Sequence, residues 1–141
     1  MELPSRWLTV PADEAEAVLR AALELAVVDG RLSGFSERPA RIPVLIVGVG
    51  AIPLPTFDGV DFFKVSAEEL QRLADHSGSH IFYLDVKVAW REGDEFFVQM
   101  DKLPRYSKGT TYAGAHGAGI TARFRKTAHG WQGEVKRAWI E

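Results

Sequence analysis

The 141-residue chain has no cysteine, which excludes disulfides, thiolate metal ligation and a cysteine nucleophile. It also has little net charge: 17 basic residues against 19 acidic ones leave −2. That balance exerts no general pull on nucleic acid or on an anionic membrane. Long apolar runs are missing too. The longest, over residues 44–55, is broken by glycine and proline and is too short to span a bilayer. The opening MELPSRWLTVPADE is polar and acidic and has no apolar segment of the secretory kind. The expectation is a cytoplasmic protein with neither a nucleic-acid nor a membrane partner. One stretch, RFRKTAHGWQGEVKR, is basic with aromatics interleaved, and a hairpin with a charged solvent side accounts for it. Apolar residues make up 46% and charged residues 26%, which places the chain among globular domains and not among disordered ones.

What is present is periodic. In PADEAEAVLRAALELAVVDG, Ala15, Val18, Leu19, Ala22, Leu25 and Ala26 recur at spacings of three and four. That spacing makes one apolar stripe on a helix. Pro11 suits the helix start, Asp13, Glu14 and Glu16 favour the positive end of its dipole, and Gly30 stops it. The spacing predicts a helix over residues 12–29. A short β-branched run predicts a strand over residues 42–49 and residues 60–65 a second extended piece, while Pro53 and Pro55 forbid a central strand between them. Ser66-Ala67-Glu68-Glu69 is a capping box that opens a short helix carrying Leu70, Leu73 and Ala74 and ending at Gly78.

From residue 80 onward the period is two. Phe82, Leu84, Val86, Val88 and Trp90 share one face of a strand, and Ile81, Tyr83, Asp85, Lys87 and Ala89 share the other. After a turn at Glu92–Asp94, Phe96, Val98 and Met100 return on one face. Residues 104–117 read as a longer Gly-rich connection or an irregular strand edge. Ile120, Ala122 and Phe124 alternate in a third strand, His129-Gly130 turns, and WQGEVKRAWIE closes the chain, with Gly133 marking a bulge. The expected fold is one α+β domain over residues 1–141: a curved antiparallel sheet packed against one long N-terminal helix and a short second helix.

The hairpin VKVAWREGDEFFVQM, the connection GTTYAGAHGAG and the ending ITARFRKTAHGWQGEVKRAWIE resemble the close of many bacterial proteins of the cystatin-like and nuclear-transport-factor-two-like superfamily. Gly130-Trp131 and Trp139-Ile140 carry the likeness, which covers residues 80–141. The resemblance implies a long helix cradled by a bent sheet, often around a pocket. It implies no single activity, because such folds serve isomerases, dehydratases, cyclases, non-enzymatic binders and toxin-immunity proteins. A single helix ahead of the first strand leans toward the cystatin-like layout.

No residue set fixes a reaction. Asp85 as general base with Tyr83 as oxyanion donor and His80 nearby is the candidate acid–base set, and it requires their face of the strand to line a pocket. Solvent-facing alternation explains Asp85 and Lys87 equally well, as a cross-strand ion pair. His76 and His80 have the spacing of helical zinc ligands, but Gly78 interrupts them and no catalytic glutamate stands between, so no metal is expected. Asp58 and Asp61 suit turn chemistry. The glycines at 109, 114, 117 and 119 lack any phosphate-loop frame and point to bulges and close backbone approach; no cofactor is expected. Trp7, Trp90, Trp131 and Trp139 suit packing, or the wall of a pocket.

The leading expectation is therefore a non-enzymatic binding or accessory protein, an immunity-type inhibitor being one such. It would hold a protein partner or a small apolar ligand through the Gly-rich connection, with Tyr106, Tyr112 and His116 as contacts, and through the exposed sheet face. Two alternatives stay open: a small-molecule enzyme of isomerase or dehydratase type, and a structural homodimer with a seam at Phe97 and Trp139.

Overall fold

The computed structural model describes residues 10–32, 42–110 and 114–140. The first element, α1, runs Ala12–Leu23 and continues without a break as a π-helical turn, Glu24–Val28. Asp13 and Glu14 sit in its first turn, where the exposed N–H groups favour negative charge. Its end is built as the sequence implies. Gly30 takes a left-handed φ of 68°, and the Leu32 N–H donates back to the Ala26 carbonyl at 3.1 Å. That return folds Leu32 fully into the core.

Among the described residues six strands come next: β1 (Ile42–Val47), β2 (Val60–Lys64), β3 (His80–Glu92), β4 (Glu95–Tyr106), β5 (Ala118–Thr127) and β6 (Gly130–Ile140). A second helix, α2 (Ala67–Ser77), separates β2 from β3. Its capping box is closed: Ser66 Oγ accepts from the Glu69 N–H at 3.1 Å, and the Glu69 carboxylate accepts from the Ser66 N–H at 3.0 Å. These bonds to the charged form hold the Glu69 carboxyl below its ordinary pKa.

The strands lie in the order β2-β1-β3-β4-β5-β6. β3 to β6 form the expected antiparallel meander. The expectation of an antiparallel sheet throughout is corrected at the other end: β1 runs parallel to both β2 and β3, so the sheet is mixed. The connections explain this. The two-residue turns at 93–94 and 128–129 oblige β4 and β6 to reverse against β3 and β5, whereas residues 48–59 and the segment through α2 carry the chain back before β2 and β3 start.

One face of the sheet packs on α1. Val18, Leu19 and Leu23 of the helix share a single core with Ile46, Leu84, Val86, Val98, Ile120 and Phe124 of the strands. α2 packs on β3 and β4 and buries Leu70 and Ala74 outside that core.

Three local expectations change. β4 continues through Pro104 to Tyr106, so of the two readings of residues 104–117 the strand one holds at their start and the connection begins after it. The bulge in β6 falls at Lys136, because Thr121 pairs with Arg137 while Ala122 pairs with Val135. Gly133 has another purpose: a Cβ there would lie 2.4 Å from the Phe124 ring, so the missing side chain makes room for that ring. Finally, an extra residue at Ala89 shifts the β3 register, pairing Val88 with Val98 but Trp90 with Phe97. Trp90 is thereby turned away from the face of Val88 and stacks on Phe97, with ring centroids 4.3 Å apart. Phe97 is left only 8% exposed, covered within its own chain.

Candidate functional site

Alternation sends Leu84 and Val86 of β3 into the α1 core, so Tyr83, Asp85 and Lys87 project from the opposite face. Gln99 and Asp101 of β4 project there too, between the buried Val98 and Met100. The register places Asp85, Asp101, Gly119 and Trp139 in one row across β3, β4, β5 and β6. Lys87, Gln99, Thr121 and Arg137 form the next row.

Asp101 is the centre of this arrangement and is only 6% exposed. A buried carboxylate is tolerated when it is bonded. Its Oδ1 accepts from the Trp139 indole N–H at 3.2 Å, and its Oδ2 from the Gln99 amide at 3.0 Å. Trp139 reaches Asp101 from two strands away because the intervening residue is glycine. A Cβ on Gly119 would lie 2.1 Å from the indole nitrogen and 2.2 Å from the Asp101 oxygen. One on Gly117 would meet the far corner of the indole at 3.3 Å. The ring therefore lies across β5 over a strip of bare backbone, and Trp139 stays 39% exposed.

Asp85 stands directly opposite Asp101. Like charges at such a pair repel. The Lys87 ammonium offsets this, 3.8 Å from Asp85 and 3.9 Å from Asp101, distances that allow attraction but no hydrogen bond. Burial pushes the Asp85 carboxyl above its ordinary pKa; Lys87 draws it down and Asp101 pushes it up further. Space for the carboxylate comes from Gly48 at the end of β1, where a Cβ would sit 2.6 Å from Asp85 Oδ1. The result is a fixed carboxylate pair with one cation between, beside an indole held in place by its own N–H.

The residues singled out in the sequence are not all brought together. Tyr83 and Asp85 share this face, and the Arg105 guanidinium lies 5.7 Å from the centre of the Tyr83 ring. His80 is on the other face, its ring 5.3 Å from that of Phe82 and 5.9 Å from that of Tyr106. The proposed acid–base set of Asp85, Tyr83 and His80 is thus split between two sides of one strand. Tyr106 belongs to β4 and is half-buried. Its hydroxyl accepts from the Ala115 N–H at 3.0 Å and donates to the Ala115 carbonyl at 3.1 Å, which clamps the connection. The start of that connection is tied to α2 as well, since Asp75 accepts from the Lys108 N–H at 2.7 Å and from Gln71 at 2.9 Å. The Lys108 bond first, then Gln71, hold the Asp75 carboxyl below its ordinary pKa. His116 is exposed, and Tyr112 lies outside the described residues. His76 is exposed near the end of α2, and among the described residues no group of His, Asp or Glu is arranged to hold a metal.

Sequence reading missed Asp101, which looked like one more charge before Lys102. The available signal was Gly119, a glycine inside an alternating strand, which marks close approach of another group. It also missed Lys102, in phase with Val98 and Met100 and so on the helix side of the sheet. The Lys102 ammonium lies 4.4 Å from the Phe82 ring centre, and burial lowers its pKa.

A separate cleft of about 460 Å³ opens where the start of α1 meets the ends of the two hairpins. Glu14, Asp94 and Glu95 face Arg91, Arg125 and Lys126 around it, with Phe96 and Trp131 among its walls. Asp85 and Asp101 do not line it. No helix among the described residues is long and apolar enough to cross a membrane. Compared with protein families, with curated proteins and with solved structures, the chain matches none.

Proposed function

We propose that the chain is a non-enzymatic binding or accessory protein that holds a protein partner on the sheet face turned away from α1. An immunity-type inhibitor is one protein of this kind. The observation that carries the reading is Trp139, a half-exposed indole locked to the buried Asp101 across Gly119. An aromatic side chain already ordered before binding loses little entropy on contact, which is how interface anchors contribute affinity. The Trp90–Phe97 stack adds a second ordered aromatic on the same face. The cystatin-like layout suggested by the chain's ending is kept as part of this reading, supported by the long helix against the meander and strained by the parallel β1.

The enzyme alternative has one supporting feature, the raised Asp85 carboxyl. The cleft lined by Glu14, Arg91 and Trp131 adds nothing to it, because neither Asp85 nor Asp101 lines that cleft. The test is a partner captured from the native cell, identified, and reconstituted with the purified chain. Trp139→Ala should weaken that complex about tenfold or more, the loss expected for a central aromatic anchor. Equal affinity in a variant that still folds rejects this face.

A further inference from the structure

The second surface of interest is the edge of the sheet. Among the described residues β6 ends the strand order, and Gly130–Ile140 is exposed along most of its length. An edge strand presents backbone N–H and C=O groups that nothing in its own sheet satisfies. Charge is concentrated at this same edge. Residues 118–140 hold five cations, Arg123, Arg125, Lys126, Lys136 and Arg137, against one carboxylate, Glu134, a net of +4. The whole chain carries −2, so everything outside this hairpin sums to −6. Near-neutral composition therefore hides a strong separation of charge.

Part of that positive charge is already neutralised. Arg123 pairs with Glu134 at 2.8 Å and lies 3.6 Å from Glu95, and Lys136 lies 3.4 Å from Glu134. Arg125 and Arg137 have no ion-pair or hydrogen-bond partner among the described residues, and both are exposed. Strand alternation puts both on the face of Arg123 and Trp139, Arg137 within β6 itself and Arg125 beside Gln132, where it also borders the cleft that Glu14, Asp94 and Glu95 line.

We infer that β6 accepts an extended acidic peptide segment as an added strand. This rests on the reading of the chain as a protein-binding module, and it names the chemistry of the partner. Backbone bonds to the open edge supply the pairing, and the guanidinium groups of Arg125 and Arg137 select carboxylates on the incoming strand. The same cations work against a second copy, since edge-to-edge pairing would bring two +4 hairpins together. The Lys136 bulge lies between the position of Arg125, beside Gln132, and Arg137, so an incoming strand that meets both guanidinium groups follows the edge past this bend.

The probe is a fluorescent peptide, acetyl-Glu-Val-Glu-Thr-Glu-Val-Glu-amide, titrated with the full chain at low salt and followed by polarisation. The companions are the same peptide with every Glu replaced by Lys, the Glu peptide N-methylated at alternate residues, and a thymidine oligonucleotide. Binding of the Glu peptide about tenfold or more tighter than the Lys peptide, lost on N-methylation and weakened about tenfold by Arg125→Glu with Arg137→Glu, supports the proposal. Undiminished binding of the N-methylated peptide overturns strand addition. Binding of the oligonucleotide as tight as the Glu peptide overturns the assignment of a peptide partner. N-methylation acts on the probe, so that result stands even if the charge variant folds poorly. Where a reconstituted partner depends on Trp139 but the Glu peptide does not bind, only the edge assignment fails. Where Trp139→Ala leaves the partner's affinity intact and the Glu peptide binds, the face assignment fails and the edge stands.

Discussion

The two faces of the β3–β6 meander are made by the same backbone and yet obey different rules. On the α1 side, Val86, Val98, Ile120 and Phe124 are apolar and fully or nearly fully buried, and their contacts are interchangeable in kind. On the other side, a carboxylate is buried by one specific indole over one specific glycine. Hydrophobic burial is roughly proportional to area and non-directional, so the first face tolerates approximate fit. A buried charge needs bonds of defined geometry, so the second face does not. The side of this sheet turned away from α1 thus has its own fixed centre, made by polar means.

Five substitutions sharpen or break that contrast. Phe124→Ala should cost the most, about 3–5 kcal/mol in denaturant unfolding, because it empties space in the closed core. A loss near zero would mean the α1 side is not the packed one. Trp139→Phe removes the indole N–H while keeping a ring, and should cost about 1.5–3 kcal/mol by leaving Asp101 short of a donor. The same variant carrying Asp101→Asn should recover part of that loss, and a cycle without coupling would dissolve the polar anchor.

Asp85→Asn should act in the opposite direction. Because folding raises the Asp85 pKa, the folded protein binds that proton more tightly than the unfolded chain does. Stability therefore declines as pH climbs from the ordinary aspartate range through the raised value. Asn should melt above the natural protein at neutral pH, with the gap closing as the solution is acidified below that range. Melting curves across pH check this, and an Asn variant less stable at neutral pH would mean that the Lys87 attraction outweighs burial. Asp75→Ala should have the smallest effect, local to the connection. The Lys108 amide should exchange with deuterium faster while global stability changes little. For the natural protein, the depressed Asp75 pKa means that this tether is present above the ordinary carboxylate range and is released as pH falls through the folded value.

Much of the fold was legible because local physics sufficed. The α1 stripe, the Ser66 capping box, the Gly30 and Gly78 stops and the alternation of residues 80–127 each rest on neighbours a few positions away. The parallel β1 was not legible, since a strand's direction depends on how far its connections reach and not on its own residues. Trp90 was misplaced for a related reason. One extra residue at Ala89 inverts the facing of the rest of β3, and alternation alone carries no mark of it. At the candidate site, Asp85 and Tyr83 stood out from the sequence, and their separation from His80 is implicit in odd and even positions along one strand. Asp101 escaped because its partner lies 38 residues away along the chain.

From the chain of letters alone come an α+β domain, its two helices, the four-stranded meander and the want of any thiol chemistry, because periodicity, capping and composition are local or additive. The tertiary structure alone decided that Gly119 is the floor of a tryptophan, that Asp101 is buried and that the basic hairpin ends the strand order of the described residues. Those facts arise when strands distant in sequence are set side by side, and the register that does so is a property of the whole sheet.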